Sequence, residues 1–244
     1  MKTPWPYPLW IAHRGAGKLA PENTLAAFRA GAELGYRMFE CDVKLSADEV
    51  PFLLHDATLE RTTSGSGEAG ELPWQALAQL DAGSWHSELY AGEPLPTLEN
   101  IVRFCLRNRH HLNVEIKPTP GTAKRTGEVV AHHLAQHWDS DAVPPLLTSF
   151  EVAALESARS AQPQLPRGLL LHALWPGWLD RARALECVAV ATNHTLWSEA
   201  SVASAKQAGL RLLSYTVNDE NAAQRLLALG MDGIITDEVD LFRP

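Results

Sequence analysis

Short apolar runs alternate with helix-forming segments along most of this chain, and this alternation limits the folds open to it. Eight such units, joined by helices, predict a closed parallel barrel with an outer ring of helices, the (β/α)8 or TIM barrel. The fold class is therefore α/β. The predicted strands are Leu9–His13, Met38–Val43, Leu112–Ile116, Leu146–Ser149, Gly168–Leu171, Val188–Ala191, Leu210–Thr216 and Gly233–Thr236.

The length of the chain agrees with one such barrel. It has 244 residues, of which 45% are hydrophobic, and a TIM barrel typically takes about 250 residues. We therefore predict a single domain over residues 1–244. The first helix should begin after Asn23 or Thr24 and turn Leu25, Phe28 and Ala32 toward the sheet, because these residues recur at helical spacing.

One long segment interrupts the alternation. Residues 57–96, which follow the second strand unit, contain neither a predicted ring strand nor a long helix, and they exceed the usual length of a connection between strand and helix. We interpret the segment as a small insertion. Its aromatic residues Trp74, Trp85 and Tyr90 predict that it packs on itself and lies over the barrel mouth. The alternative is a surface excursion with no role at the mouth.

Charged or imidazole side chains lie at or next to the end of four apolar runs in the first half of the chain. His13, Asp42 and His55 end their runs, and Glu115 lies one residue before the end of another. The carboxyl ends of the strands of a TIM barrel meet at one face, where active sites of this fold lie. The pattern therefore predicts a catalytic mouth.

The pleat of a strand determines which of these side chains share a space. Successive side chains alternate between the two faces of a strand, so Glu40 and Asp42 point to one side together. Asn113, Glu115 and Lys117 follow the same phase on another strand. Two strands therefore direct acidic groups into the barrel interior.

Acidic groups this close need a positive charge between them. Two carboxylates about 6 Å apart repel by roughly 3 kcal/mol at an effective dielectric constant of 20. Lys117 or a raised carboxyl pKa would remove part of this cost, but a divalent cation with oxygen ligands removes more. We predict one Mg²⁺ or Ca²⁺ ion held by Glu40, Asp42 and Glu115, which His13 or His55 could also bind.

The same rim carries groups suited to acid–base chemistry on an anionic substrate. His13 and His55 are candidates for general acid and general base, because imidazole titrates near neutral pH. Arg14 offers a planar set of donors to a phosphate, and Lys117 adds a point charge. Taken singly, each histidine could be structural, Arg14 could form a surface ion pair, and Lys117 could pair with Glu115.

Net charge and the N-terminal sequence restrict the partners and the location. A formal charge of −8 and a sequence pI near 5.7 argue against binding to nucleic acid or to an anionic membrane. The first ten residues lack the apolar run of a signal peptide, and nothing later predicts membrane insertion. The expected location is the cytoplasm. Cys41, Cys105 and Cys187 show no metal spacing and should be buried and unpaired.

Several motifs together resemble the glycerophosphodiester phosphodiesterase family, in particular its cytosolic bacterial members associated with glycerol-3-phosphate uptake. The resemblance extends from Ile11 to Asp237. The motifs, in chain order, are AHRGAGKLAPENTLAAF at Ala12–Phe28, FECDVKLS, LLHDATLERTTSG, NVEIKP, SYTVN and GIITD.

The resemblance implies a TIM barrel with an insertion after the second strand unit. It also implies metal-dependent cleavage of a small-molecule glycerophosphodiester to sn-glycerol 3-phosphate and an alcohol. The nucleophile would be either the 2-hydroxyl of the substrate or a water. Carried over by motif position, the metal ligands are Glu40, Asp42 and Glu115, the acid and base are His13 and His55, and the phosphate contacts are Arg14 and Lys117.

The chain departs from the family pattern at two positions. Glu49 stands where a glycine is common, and Tyr215 replaces a frequent tryptophan, which would reshape the pocket of the leaving group. We expect Phe150, Trp197 and Tyr215 to line that pocket, although core packing explains any one of them equally well. Glu22 and Asn23 also match a family motif. Their own pattern indicates a helix entrance, and we expect both to support the site from behind.

Two other functions fit the same residues less well. A phospholipase-like enzyme acting at a bilayer would need an exposed apolar or basic binding element, and the sequence has no such element. A non-catalytic module that senses glycerophosphodiesters would typically have lost a ligand or a histidine, and every position is occupied here. The sequence carries no signal for an oligomeric state.

Overall fold

Eight parallel strands close into a ring in the computed structural model, which describes residues 5–244. The ring closes because the first strand pairs with both the second and the last. The predicted TIM barrel is confirmed. The strands are β1 (Trp10–Ala12), β2 (Met38–Leu45), β3 (Pro51–Leu53), β4 (His111–Ile116), β5 (Leu146–Ser149), β6 (Arg167–Leu171), β7 (Ala189–Asn193), β8 (Arg211–Tyr215) and β9 (Gly233–Thr236).

One strand lies outside the ring. β3 runs antiparallel to the carboxyl end of β2, with Val43 opposite Leu53 and Leu45 opposite Pro51. The other eight strands match the predicted ones with differences of no more than two residues at any end. Residues 1–4, part of the segment for which the sequence predicts no signal peptide, lie outside the described residues.

Helices follow successive ring strands and form the outer layer of the barrel. One short helix lies within the 57–96 segment, and each of the other seven connects two neighbouring ring strands. They are α1 (Leu25–Glu33), α2 (Trp74–Leu77), α3 (Leu98–Asn108), α4 (Ala123–His137), α5 (Val152–Ala161), α6 (Trp178–Ala184), α7 (Glu199–Gln207) and α8 (Glu220–Leu229). In the part of the chain that the structure describes, no helix is both long and apolar enough to cross a bilayer.

The buried face of α1 is centred differently from the predicted one. Ala27, Phe28 and Gly31 are its buried residues, whereas Leu25 and Ala32 pack against the same core but are only partly buried. The reason is a close approach of the helix to the loop after β1. A Cβ atom at position 31 would lie 2.2 Å from the carbonyl oxygen of Gly15, so only glycine fits at this point of the buried face.

The three cysteines are buried and unpaired, as predicted. Cys41 and Cys105 lie in the apolar layer between the ring and its helices, together with Phe39 and Val43. The odd-numbered residues of β2 therefore point outward into this layer. The alternate residues Glu40 and Asp42 point into the barrel.

His110 should make the stability of the fold depend on pH. It is buried against Phe39 and Phe104, with ring centroids at 5.2 and 5.5 Å. Burial lowers the pKa of His110 to about 4. The pKa of an exposed histidine is about 6.5, so the folded state binds this proton less well than the unfolded state.

We therefore expect His110 to contribute its full stability above pH 6.5 and to lose it as the pH falls toward 4. The loss is up to about 3 kcal/mol. Urea unfolding of the native protein and of His110→Gln at pH 7 and pH 4.5 measures it, and the variant should lose less stability over this interval. His132→Gln, at an exposed position, is the control. Equal losses in the native protein and in His110→Gln would contradict the prediction.

Candidate active site

A cavity of about 270 Å³ opens at the carboxyl ends of the ring strands. It brings together six of the seven residues that the sequence analysis assigned to metal, acid–base or phosphate roles; the seventh, Asp42, lies just behind them. The lining residues are His13, Arg14, Glu40, His55, Asn113, Glu115, Lys117, Thr148, Phe150, Leu170, His172, Tyr215, Thr216 and Ile235.

The three acidic residues meet because β2 and β4 are neighbours in register. Glu40 pairs with Asn113, and Asp42 pairs with Glu115, so their inward side chains stand side by side. One carboxylate oxygen from each of Glu40, Asp42 and Glu115 lies within 4.8 Å of the other two. Asp42 is the most deeply placed of the three and is 1% exposed.

Burial and mutual repulsion shift the pKa values of the three carboxyl groups in this cluster. Burial, reinforced by Asp42 and Glu115, raises the pKa of Glu40 well above its usual range. Burial and Asp42 likewise raise the pKa of Glu115 to about 7. Burial acts to raise the pKa of Asp42 too, but Arg14 and Lys117 outweigh it and hold that pKa below its usual range.

The cluster fits a hard divalent cation. Oε1 of Glu115 is buried and, within residues 5–244, accepts no well-oriented hydrogen bond. Its nearest cation is the Lys117 ammonium, at 2.9 Å. Three converging carboxylates form the oxygen donor set that Mg²⁺ and Ca²⁺ prefer. Elsewhere in the described residues, no group of three carboxylate, imidazole or thiol side chains converges this closely.

The two predicted phosphate-binding cations stand at the edge of the acid cluster. Arg14 Nη1 donates to Glu22 at 2.8 Å, and its Nε lies 3.2 Å from Asp42 Oδ2. The Lys117 ammonium lies 2.9 Å from Glu115 and 3.5 Å from Asp42. Both cations line the cavity, so they balance the buried acids while facing the space that an anionic substrate would enter.

His13 is held by residues from the opposite end of the chain. Its Nδ1 lies 2.6 Å from Asp237 Oδ1, and its Nε2 lies 3.8 Å from Glu40. Asn218 holds the aspartate in place by donating to Asp237 Oδ2 at 2.9 Å and accepting from the Asp237 backbone N–H at 3.0 Å. The imidazole therefore has one nitrogen tied to a carboxylate and the other facing the cluster.

His55 has a similar arrangement built from local residues. Its Nδ1 lies 2.6 Å from Asp56 Oδ1, and Arg61 donates to the same aspartate at 2.5 and 3.0 Å. The buried Lys44 ammonium donates to the His55 carbonyl at 3.0 Å. Burial lowers the pKa of His55 below its usual range.

The residues before α1 support the cluster from behind. Asn23 Nδ2 donates to Asp42 Oδ2 at 2.8 Å, and Asn23 Oδ1 accepts from the Asp42 backbone N–H at 3.1 Å. The helix cap is Thr24, whose hydroxyl accepts from the Ala27 N–H. Asn23 is thereby free of the capping role and holds the central aspartate.

The three predicted pocket aromatics separate into two groups. Phe150 and Tyr215 line the cavity, and their rings meet edge to face at 5.8 Å. Trp197 does not. It is 3% exposed, packs edge to face on Trp178, and donates its indole N–H to the Leu213 carbonyl at 3.1 Å. Its side chain belongs to the core between the ring and the helices, because the turn after β7 directs it there.

Sequence reasoning missed several residues around the cavity. Asp237 directly follows β9, so the criterion that identified His13 would have found it, whereas Asn218 is a neutral amide three residues beyond β8 and does not meet that criterion. His172 follows β6 in the same way and stacks on Phe150 with ring centroids 3.8 Å apart. Asp56 also follows an apolar run directly, next to His55, whereas Arg61 lies within the 57–96 segment and carries no such signal.

The 57–96 segment packs on itself and stands beside the mouth. Its apolar residues Leu59, Ala69, Leu77, Ala82 and Leu95 form one core together with Phe52 and Leu54, which precede the segment. His86 Nε2 contacts the Lys18 carbonyl at 2.9 Å, and Glu93 accepts from the Ala26 N–H at 3.0 Å. None of residues 57–96 lines the cavity. The segment braces the mouth from its side rather than covering it.

Comparisons with known proteins agree with this geometry. The chain is 32% identical over 235 residues to a glycerophosphodiester phosphodiesterase of Caldanaerobacter subterraneus subsp. tengcongensis, covering 94% of both chains. It is 29% identical over 248 residues to a glycerophosphodiester phosphodiesterase of Bacillus subtilis, covering 96% of this chain and 85% of the other.

A solved structure is similar over nearly the whole chain. It is that of an Oleispira antarctica phosphodiesterase in complex with the product sn-glycerol-3-phosphate. The TM-score is 0.91 and the identity 37%, over 95% of this chain and 93% of that one. The profile of the glycerophosphoryl diester phosphodiesterase family matches residues 13–241. This chain therefore belongs to that family, and its enzyme class is that of a glycerophosphodiester phosphodiesterase.

Proposed function

We propose that the enzyme hydrolyses glycerophosphodiesters with small polar alcohol groups, such as glycerophosphocholine or glycerophosphoethanolamine. The products would be sn-glycerol 3-phosphate and the alcohol. One observation carries the proposal: three converging carboxylates, two cations and two carboxylate-bound histidines surround a single cavity. The product in the Oleispira antarctica structure supports the same assignment.

Glu40, Asp42 and Glu115 would hold one divalent cation, Mg²⁺ or Ca²⁺, through their carboxylate oxygens. When bound, such an ion neutralises charge on the phosphate and polarises its oxygens. Asn23 holds Asp42 from behind through two hydrogen bonds. Fixing a ligand in this way maintains the geometry of a metal site.

Arg14 and Lys117 would bind the phosphate. Each is already paired with buried acids, at 2.8 to 3.5 Å, which keeps it charged and restrains its side chain. Fixed donors aimed at the developing charge stabilise the transition state without reorganisation. Phe150 and Tyr215 would contact the departing alcohol.

His13 and His55 would move the protons. A carboxylate at Nδ1 holds the neutral ring in the tautomer with its proton on Nδ1, so that Nε2 is the atom available to the substrate. Asp237 does this for His13, and Asp56 does it for His55. One imidazole, neutral, would take the proton of the attacking hydroxyl at Nε2. The other, protonated on both nitrogens, would give its Nε2 proton to the leaving oxygen and return to the neutral form.

The proposal is tested by stripping the purified protein with a chelator and assaying release of sn-glycerol 3-phosphate from glycerophosphocholine. We expect the stripped protein to be inactive and addition of Mg²⁺ or Ca²⁺ to restore turnover, because the carboxylates alone repel the phosphate. Added K⁺ at equal ionic strength is the control. Full turnover by the stripped protein would exclude the metal role, and inactivity across metals and alcohol groups would favour a binding module.

A further inference from the structure

Arg61 joins two parts of the cavity wall that are far apart in sequence. Its Nε and Nη2 donate to Asp56 at 2.5 and 3.0 Å, and its Nη1 and Nη2 donate to Glu22 at 2.8 Å each. Asp56 holds His55, and Glu22 holds Arg14. One guanidinium therefore connects both supporting carboxylates.

The backbone of Arg61 is fixed by the core of the 57–96 segment. Leu59 is fully buried in that core, and its carbonyl accepts from both the N–H and the hydroxyl of Thr63, at 3.0 and 2.7 Å. Arg61 lies within this turn. Its side chain, 44% exposed, reaches from there to the mouth.

We propose that Arg61 is a positioning residue for the reaction, acting on His55 through Asp56 and on Arg14 through Glu22. This inference rests on the proposed function, because it takes His55 as a proton-transfer group and Arg14 as a phosphate contact. It also gives the 57–96 segment a role at the mouth, although none of its residues lines the cavity.

The geometry distinguishes this residue from an ordinary surface ion pair. The Arg61 guanidinium makes four hydrogen bonds, two to each carboxylate. An ammonium group has three N–H donors around one nitrogen and cannot reproduce this paired arrangement. Without Arg61, Asp56 and Glu22 each keep one partner and gain freedom to rotate. His55 then loses a fixed orientation, and Arg14 can turn toward Asp42, 3.2 Å from its Nε.

Arg125 is a matched control for Arg61. It donates to Glu49 at 2.7 Å through two nitrogens and to Glu128 at 2.9 Å, and it is 51% exposed. Arg125 therefore bonds two carboxylates, as Arg61 does, and is similarly exposed. Its partners Glu49 and Glu128 do not line the cavity. Any general cost of removing such an arginine should be the same at both positions.

The experiment compares Arg61→Ala, Arg61→Lys and Arg125→Ala with the native, metal-loaded enzyme. We expect Arg61→Ala to lower kcat and raise KM, with a combined loss of about 10- to 100-fold in kcat/KM, as found when residues supporting catalytic groups are removed. Arg61→Lys should not restore it. Tm should fall by no more than about 4 °C in both alanine variants, because exposed ion pairs contribute little stability.

Chemical rescue distinguishes a positioning role from a merely structural one, because added guanidinium would not restore activity lost through a change of fold. Millimolar guanidinium should raise the activity of Arg61→Ala and leave Arg125→Ala and the native enzyme unchanged, because the exposed site admits the ion. Equal activity losses in the two alanine variants, no loss in Arg61→Ala, or a loss that guanidinium does not reverse would overturn the inference. Full activity of Arg14→Ala and His55→Ala would instead overturn the proposed function.

Discussion

Asp42→Asn is expected to lower kcat/KM by about 10³-fold or more and to remove the response to added Mg²⁺ or Ca²⁺. Asp42 is the most buried of the three carboxylates and carries contacts from Asn23, Arg14 and Lys117. Replacing it with a neutral amide removes one of the three negative charges that would hold the cation. Losing several kcal/mol of charge stabilisation in the transition state corresponds to this change in rate.

The measurement pairs steady-state kinetics with calorimetric titration of the metal into stripped protein. Asp240→Asn, an exposed aspartate near the end of the chain, is the control and should bind metal and turn over as the native enzyme does. Circular dichroism and Tm verify that the variant is folded, because the amide leaves the partly buried Arg14 and Lys117 with less charge compensation. A folded Asp42→Asn with native metal affinity would show that the cluster is not the metal site.

His13→Gln and His55→Gln are each expected to lower kcat by about 10²- to 10⁴-fold, the usual contribution of a general acid or base. Glutamine keeps a polar side chain of similar size at each site but cannot exchange a proton at neutral pH. Substrate affinity should change less, because Arg14 and Lys117 supply the phosphate contacts in the proposed function. Stopped-assay kinetics over a range of glycerophosphocholine concentrations separates the two effects.

His172→Gln is the matched control for the histidine variants. His172 lines the same cavity, but its ring stacks on Phe150, so we expect a change of less than about tenfold in kcat. If either catalytic variant retained a comparable fraction of its activity, that histidine would be a structural residue. If His172→Gln lost as much activity as the other two, the proton-transfer roles would have to be reassigned.

The ring of strands and its inward acids could be predicted because they depend on local patterns. Buried strands consist mostly of apolar residues, so they can be recognised in the sequence as apolar runs. The two-residue period of the pleat then places Glu40, Asp42 and Glu115 on the inner side. The register of β2 against β4 then brings them together. The phase of each strand was enough to predict that these acids face inward, whereas their side-by-side placement comes from the pairing of β2 with β4.

The predictions for Trp197 and for the buried face of α1 were wrong because these residues lie outside the strands, where the alternation of side chains does not determine their direction. Trp197 follows the end of β7 and a short turn, so its position in the sequence does not determine where its side chain points, and the structure directs it into the core. For α1, helical spacing identified the correct segment but the wrong centre of its buried face. The close approach of Gly31 to the backbone of Gly15 determines that face.

The sequence by itself therefore determined the barrel, its eight ring strands and the acidic residues that share its interior, because these follow from side-chain periodicity within single strands. The tertiary structure alone decided which groups support the histidines and the arginine. Asp237 reaches His13 across 224 residues because ring closure sets β1 beside β9. Arg61 reaches Glu22 because the 57–96 segment folds back against the mouth. Such contacts depend on how distant elements pack, and periodicity along one strand carries no information about that.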